Sequence, residues 1–257
     1  LARHLGQQQP FFGLQPPGLD GHGQPLDRVE DLARCFAGQI RAFHPDGACI
    51  IAGYCAGGTI AFELARQLAS SGTSVHLLAL FGSPFSTWYH RLPQLRYRVG
   101  QQVERIVRHT RALACLSTAE CRAYIAERLR ERNAQRAADR PKAADPVLAQ
   151  RAKVERATFA ALRRYRPTHF IGRLGLFLPS RHWPLASDAA ARWRSVAPRT
   201  EEYHGPEGCD GSVMLREPYA PLFAGLLEQC LRRSENRADS AAAGHPLAAR
   251  ALNDQRL

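Results

Sequence analysis

The stretch from Ala48 to Gly72 reads ACIIAGYCAGGTIAFELARQLASSG and decides the fold. Its first part, residues 48–54, is a short apolar run that predicts a strand buried on both faces of a sheet. After a glycine pair, the spacing of apolar residues predicts a helix over 59–69, and a second apolar run predicts a strand over 74–81. Strand, helix and strand in this order are typical of a βαβ unit and indicate a mostly parallel sheet.

The same alternation continues on both sides of this unit. Upstream, apolar residues recur every three or four positions and predict an amphipathic helix over 29–43, after a short extended piece at Pro10 to Leu14. Downstream, the pattern predicts a strand over 171–178, a helix over 188–196, an edge strand over 200–204 and a last helix whose apolar stripe runs from 222 to 231. The fold class is therefore α/β.

A basic segment interrupts the alternation between residues 86 and 165. The chain has 35 Lys and Arg against 23 Asp and Glu, a net charge of +12, and this segment alone has 18 against 7. It is rich in Arg and Ala, which favours helices, so we predict a basic helical insertion between two strands of the sheet. Such a charge indicates either an acidic partner or a solvated helical face. It has no aromatic residues interleaved with basic ones and no helix-turn-helix pattern, so nucleic-acid binding is not expected.

Several classes of protein are not expected from this composition. No apolar run approaches the roughly 18–20 residues of a membrane span, and the N-terminus lacks the apolar core of a signal peptide, so we expect a cytoplasmic protein that does not contact membranes. Seven cysteines, without a CxxC pair or zinc spacing, favour a reducing compartment and no metal site. The missing initiator Met suggests a piece of a longer chain, and residues 234–257 read as a disordered tail or linker.

The motif that carries chemistry is Gly53-Tyr54-Cys55-Ala56-Gly57. G-x-C-x-G at a strand-to-helix junction is a nucleophile elbow with Cys in place of Ser. We expect Gly53 and Gly57 to let the strand and the helix approach closely, and the helix N-terminus to favour the Cys55 thiolate. The backbone N–H of Ala56 is a candidate oxyanion donor. The alternative is that Cys55 is a small buried apolar residue in a glycine-rich turn.

Four stretches carry a resemblance to a known family: LARHLGQQQPFFGLQPPGLDG (1–21), IIAGYCAGGTIAFELARQLASSG (50–72), YRPTHFIGRLGLFL (165–178) and VMLREPYAPLFAGLL (213–227). Over residues 1–233 the chain resembles the thioesterase domains that end polyketide and nonribosomal-peptide assembly lines. This resemblance implies an α/β-hydrolase-type sheet with helices on both faces and a lid at 86–165. It also implies an acyl substrate on the phosphopantetheine of an acyl or peptidyl carrier protein, on the same polypeptide, and no bound cofactor.

The chain departs from the family's pattern at four points. Cys55 stands where most relatives have Ser. Gly82 stands where the resemblance implies the catalytic Asp, and Gly211 where it implies the catalytic His. The strand and loop that supply a second oxyanion donor in the family would precede Leu1.

Because of these departures, the sequence does not identify the general base. His204 and His182 are tentative bases and Asp210 a tentative acid, with a solvated surface residue or a turn cap as the alternative for each. A thiol tolerates a missing base better than a hydroxyl does, because a few per cent is already ionised at neutral pH. The first hypothesis is therefore acylation of Cys55, followed by hydrolysis, cyclisation or condensation. The alternatives are a degenerate domain that binds or gates the carrier without turnover, and an inactivated variant of the enzyme.

Overall fold

The computed structural model describes residues 1–6, 9–45, 47–89, 127, 130 and 145–243. Most of the predicted insertion at 86–165, and residues 244–257 of the predicted tail, lie outside the described residues. Within the described ranges, no helix is long and apolar enough to cross a membrane.

The four predicted strands form one parallel sheet in chain order, so the predicted architecture is confirmed. The strands are β1 (Cys49–Tyr54), β2 (Val75–Phe81), β3 (Leu174–Leu178) and β4 (Thr200–His204). The helices are α1 (Val29–Phe43), α2 (Ala56–Ser70), α3 (Pro146–Arg164), α4 (Ala186–Val196) and α5 (Ala220–Ala243). Because parallel strands all end at the same edge, the residues that follow β1 to β4 share one edge of the sheet.

Helices cover both faces of the sheet. On one face, Leu78 and Leu80 of β2 pack in a core that includes residues of α1, α2 and α4, with Trp193 fully buried. On the other face, Phe81 and Phe177 stack with ring centroids 4.5 Å apart and pack against α5. The neighbouring residues of β2 thus point to opposite cores, as their continuous apolar run predicts.

The two ends of the insertion meet beside the start of α2. A 3₁₀ turn at Ser86–Tyr89 opens the insertion, and α3 closes it. Asp145 begins α3 by accepting a hydrogen bond from the Val147 amide at 2.9 Å. Tyr89 packs with Leu162 of α3, so the start and the end of the insertion are held together next to the elbow.

The structure differs from the sequence-based prediction at β1, an outermost strand of the described sheet. Strand β1 was predicted to be buried on both faces, but Ala52 and Tyr54 are exposed. The prediction was wrong because β1 is an edge strand of the described sheet, and its apolar composition alone does not reveal this.

Element ends also differ from their predictions. Helix α2 begins at Ala56, three residues early, and β3 begins at Leu174 because Ile171 is exposed. Helix α5 continues to Ala243, ten residues into the predicted tail. The described residues of the predicted extended piece at 10–14 form no strand.

Candidate active site

The backbone at Cys55 has the geometry of a nucleophile elbow. Cys55 lies between β1 and α2 with φ 50° and ψ −119°, and it is the one non-glycine residue with positive φ in the described ranges. Its amide donates to the Phe81 carbonyl at 2.9 Å, and its carbonyl accepts from the Gly58 amide at 3.1 Å. Such a conformation costs on the order of 1–3 kcal/mol and persists where the surroundings enforce it. The predicted strand–turn–helix context of the motif is confirmed.

The glycines that permit this close approach are Gly53 and Gly58. A Cβ on Gly53 would lie 2.6 Å from the Gly57 carbonyl oxygen, and a Cβ on Gly58 would lie 2.1 Å from the Ser83 hydroxyl. A Cβ on Gly57 would meet nothing within 4 Å. The prediction that Gly57 serves the close approach was therefore wrong, because position 57 faces open space at the start of the helix and position 58 faces β2.

Cys55 is presented to solvent at the N-terminus of α2. The Cys55 residue is exposed, whereas Cys209 and Cys230 are buried, and burial raises the pKa of both of those thiols. The interpretation of Cys55 as a small buried residue was therefore wrong. The Ala56 amide is the first of α2, where helix amides have no partner within the helix and the helix dipole favours negative charge. This places an exposed thiol next to a helix amide that is free to act as the candidate oxyanion donor.

The two positions of the implied acid and base meet next to the elbow. Gly82 follows β2 directly, and a Cβ on it would lie 3.8 Å from the Gly211 Cα atom. The Tyr54 hydroxyl donates to the Gly211 carbonyl, which ties the loop of Gly211 to the residue before Cys55. Because both positions are glycine, neither carries the carboxylate or the imidazole that the resemblance implies. Instead, the Met214 sulfur would lie only 2.8 Å from a Cβ on Gly82.

His204 and His182 belong to other strands of the sheet and their connections. His204 is the last residue of β4, three strands from β1, which is about 14 Å at the usual strand spacing, and His182 lies in the connection after β3. His204 Nε2 lies 3.6 Å from Glu202, and its Nδ1 has no hydrogen-bond partner in the described part of the chain. His182 is 79% exposed and lies 3.4 Å from Glu207. The structure thus places His204 away from Cys55 and shows His182 as a solvent-exposed side chain paired with Glu207.

His204 lines a polar cavity of about 520 Å³, and Cys55 does not. Its lining includes Arg181, Glu202, Glu207 and Arg233. These charged groups make it a hydrated groove at the β4 end of the sheet. An acyl chain attached at Cys55 would therefore start outside this cavity.

Asp210 is occupied within its own turn. Its carboxylate accepts from the Ser212 amide at 2.8 Å, and the Ser212 and Gly211 backbone hydrogen bonds hold its pKa below the usual value. Its charge also acts on Tyr54. Asp210 therefore remains ionised near the elbow while its side chain fixes the turn that carries Gly211.

Two tyrosines of the site have no sequence signal that points to them. Tyr54 fills a variable position of the motif, and Tyr89 lies in the segment that predicts only a helical insertion. The structure places the Tyr54 hydroxyl on the Gly211 carbonyl and the Tyr89 side chain in the cluster against which Ala56 packs. Burial, followed by the nearby Cys55, raises the pKa of both phenols. Both remain protonated hydrogen-bond donors at neutral pH.

One family model and two known proteins are similar in sequence to this chain. The family model of the thioesterase domain matches residues 1–206. The chain is 37% identical over 78 residues to polyketide synthase PksR of Bacillus subtilis, covering 30% of this chain and 3% of that protein. It is 33% identical over 106 residues to the inactive atromentin synthetase invA4 of Paxillus involutus, covering 39% and 11%. The chain thus spans a small part of the length of these relatives.

Solved structures of low sequence identity share the fold. A four-domain nonribosomal peptide synthetase bound to AMP and glycine matches with TM-score 0.62 and 18% identity, covering 89% of this chain and 18% of that chain. The NocB thioesterase domain in covalent complex with a fluorophosphonate nocardicin G analog matches with TM-score 0.56 and 17% identity, covering 85% and 81%. The RedJ thioesterase of Streptomyces coelicolor matches with TM-score 0.54 and 20% identity, covering 87% and 80%. The predicted α/β-hydrolase-type fold is confirmed.

Proposed function

The chain belongs to the thioesterase domain family, and from this premise we propose that it takes an acyl chain from the phosphopantetheine of a carrier protein onto Cys55. The acyl chain then passes to water or to an internal or external nucleophile. The acceptor thus decides between hydrolysis, cyclisation and condensation. No resident cofactor is needed, because the phosphopantetheine arrives with the substrate.

The observation that carries the proposal is the exposed Cys55 thiol on a strained elbow at the N-terminus of α2. In the acylation step the Cys55 thiolate attacks the thioester carbonyl, and the new C–S bond replaces the bond to the phosphopantetheine sulfur. That sulfur leaves as a thiolate and takes up a proton. One thioester replaces another, so the step is nearly isoenergetic and needs little activation beyond the thiolate and the Ala56 amide.

The second candidate function is carrier binding without turnover. It is favoured by the two glycines at the implied acid and base positions and by the Met214 sulfur next to Gly82. With glycine at the positions of the implied acid and base, we expect slow hydrolysis of an acyl-enzyme. A cysteinyl thioester remains reactive toward an amine, alcohol or carbon nucleophile, so slow hydrolysis is compatible with transfer.

Intact-protein mass after incubation with an acyl-N-acetylcysteamine thioester separates these two functions. Acylation adds the mass of one acyl group, and peptide mapping places it on Cys55. A protein that stays at its original mass, while still binding a carrier protein, would establish the binding function instead.

Restoring an imidazole at position 211 is expected to shorten the life of the acyl-enzyme. A side chain at Gly211 fits, because a Cβ there would lie no closer than 3.6 Å to Trp183. We expect Gly211→His to hydrolyse the acyl-enzyme about tenfold faster, less than the full effect of a general base because the orienting Asp is absent. Decay of the acyl-enzyme mass in a single turnover measures this rate.

Gly211→Ala is the matched control, since it adds a side chain without a base. It should decay at the rate of the unchanged protein. If the unchanged protein already hydrolyses the acyl group rapidly, another residue is the base, and His204 or His182 would be tested first.

We further propose that the basic insertion recruits an acidic carrier protein. Arg130 is 80% exposed and lies 3.5 Å from Glu127 in a solvated pair, so its charge remains available to a partner. Reversing Arg128, Arg130 and Arg132 to Glu should slow acylation by a carrier-bound chain about tenfold at low salt. Acylation by the free N-acetylcysteamine thioester should be unchanged.

A triple reversal outside the insertion controls for net charge. Arg34, Arg192 and Arg232 are exposed and pair within their own helices. Their reversal should leave acylation by the carrier-bound chain near its original rate. Equal slowing of the two thioesters by the insertion variant would instead assign the segment to the fold or the acyl pocket.

A further inference from the structure

The hydroxyl of Tyr89 is a buried donor next to the elbow with no hydrogen-bond partner in the described part of the chain. Tyr89 ends the 3₁₀ turn that opens the insertion, and it is 3% exposed. A buried hydroxyl without a hydrogen-bond partner destabilises the folded protein, which indicates that this hydroxyl has a role beyond packing.

The ring of Tyr89 is held rigidly. It contacts the Phe159 ring of α3 with centroids 6.0 Å apart, and it belongs to a cluster with Val29 and Leu162. Ala56 and Ile60, at the start of α2, pack against the same cluster. The cluster that holds the ring therefore packs against the first turns of α2, which begin directly after Cys55.

The hydroxyl is buried beside the residue that follows Cys55, because Ala56 packs against the cluster that holds the ring. Burial, followed by the nearby Cys55, raises the pKa of the phenol, so the proton stays on the oxygen at neutral pH. The pair does not reach full hydrogen-bond geometry in this structure. A neutral thiol is a weak acceptor, whereas a thiolate is a strong one that draws a nearby O–H into a short contact.

We propose that the Tyr89 hydroxyl donates a hydrogen bond to the sulfur of the Cys55 thiolate and is a catalytic residue of this site. The inference rests on the proposed function, in which Cys55 is the nucleophile. The hydrogen bond favours the thiolate where the implied imidazole position holds Gly211. When the thioester forms, the sulfur loses its charge and the hydrogen bond weakens, while the proton stays on Tyr89 throughout.

The test is the pH dependence of Cys55 alkylation by iodoacetamide in the full chain, followed by peptide mapping. Tyr89→Phe keeps the ring and removes only the hydroxyl. Loss of a donor to the charged form disfavours the thiolate, so the midpoint of the pH profile should rise by about one pH unit. A more basic thiolate is also a better nucleophile, with about half of the change in basicity appearing in the rate. We therefore expect alkylation about threefold slower at neutral pH and about threefold faster once all the thiol is ionised.

The other titratable groups near the elbow are the same in Tyr89→Phe and in the unchanged protein. Tyr54 interacts with Cys55 directly, and the groups that act on Tyr54 in turn are Cys209, Asp210 and Arg216. Tyr165→Phe is the matched control, because Tyr165 lies in the same cluster and its hydroxyl donates to Glu63 at 2.7 Å instead. Tyr165→Phe should leave the pH profile of alkylation unchanged and lower the thermal stability. Tyr89→Phe should shift the pH profile without lowering the thermal stability.

A crossover of the two pH profiles supports the inference, because a purely structural change does not slow a reaction at one pH and speed it at another. Identical profiles for Tyr89→Phe and the unchanged protein overturn it. So does a variant that loses acylation by a thioester but keeps its alkylation profile, since the hydroxyl would then act on the oxyanion. Failure of the proposed function is seen separately, as the absence of an acyl adduct on the unchanged protein.

Discussion

We expect Cys55→Ala to abolish the covalent acyl adduct that the proposed function predicts on incubation of the protein with an acyl-N-acetylcysteamine thioester. The reason is that Cys55 alone combines an exposed thiol with the elbow backbone and the N-terminus of α2 among the described cysteines. Without the sulfur, no bond to the acyl carbon can form at this position. We expect a loss of at least about a thousandfold in the acylation rate, the scale on which removal of an activated nucleophile acts. Intact-protein mass over time measures it.

Cys35→Ala is the matched control for this experiment. Cys35 is a half-buried thiol on α1, away from the end of β1, and its sulfur accepts a weak contact from Gln39 at 3.8 Å. Its removal should leave the adduct and its rate unchanged. An adduct of equal yield on Cys55→Ala would assign the acyl group to another side chain and end the elbow hypothesis.

Gly53→Ala is expected to destabilise the whole domain by about 3 kcal/mol, near the upper end for overpacking, because its methyl group would press on backbone atoms. The nearest are the Gly57 carbonyl oxygen and the Gly58 Cα atom, each at 2.6 Å, and neither can rotate away as a side chain can. Strand β1 and helix α2 must separate for the methyl group to fit. For a chain of this size we expect a drop in Tm of about 6–12 °C, measured by thermal unfolding.

Gly57→Ala provides the control at the neighbouring glycine of the motif. A Cβ at position 57 meets nothing within 4 Å, and Ala favours helices over Gly, so the expected change is neutral to slightly stabilising. Similar losses of stability at positions 53 and 57 would contradict the packing described for the elbow.

The glycines of the elbow show which contacts a local sequence pattern cannot predict. The local pattern of apolar runs predicted β1, β2 and β3 and the helix α2, because burial of a strand or a helix face follows from its own periodicity. The edge strand at 200–204 and the helical insertion were also predicted, although not from apolar runs. The G-x-C-x-G motif also predicted the elbow, since strand, sharp turn and helix are contiguous. The crowding at Gly58 depends on Ser83, which lies two residues after the end of β2. No local pattern contains that contact.

The positions of the implied acid and base were predicted from the sequence, but the position of a substitute base was not. The resemblance to the thioesterase family singled out Gly82 and Gly211, and the structure brings their backbones together beside Tyr54. His204 and His182 remained open as substitutes because a sequence does not show how many strands separate them from Cys55. The order of the strands in the sheet places His204 at the far strand, and this order is a property of the assembled fold.

By itself, the sequence determined the α/β alternation, the elbow cysteine and the basic segment, because each depends on residues that are neighbours along the chain. Only the tertiary structure decided that Gly58 rather than Gly57 meets β2, that β1 has an exposed face and that the cluster of Tyr89 packs against the first turns of α2. The physical reason is that these contacts join segments far apart in sequence. They form only when packing of the two cores fixes the positions of the strands, the helices and the insertion relative to one another.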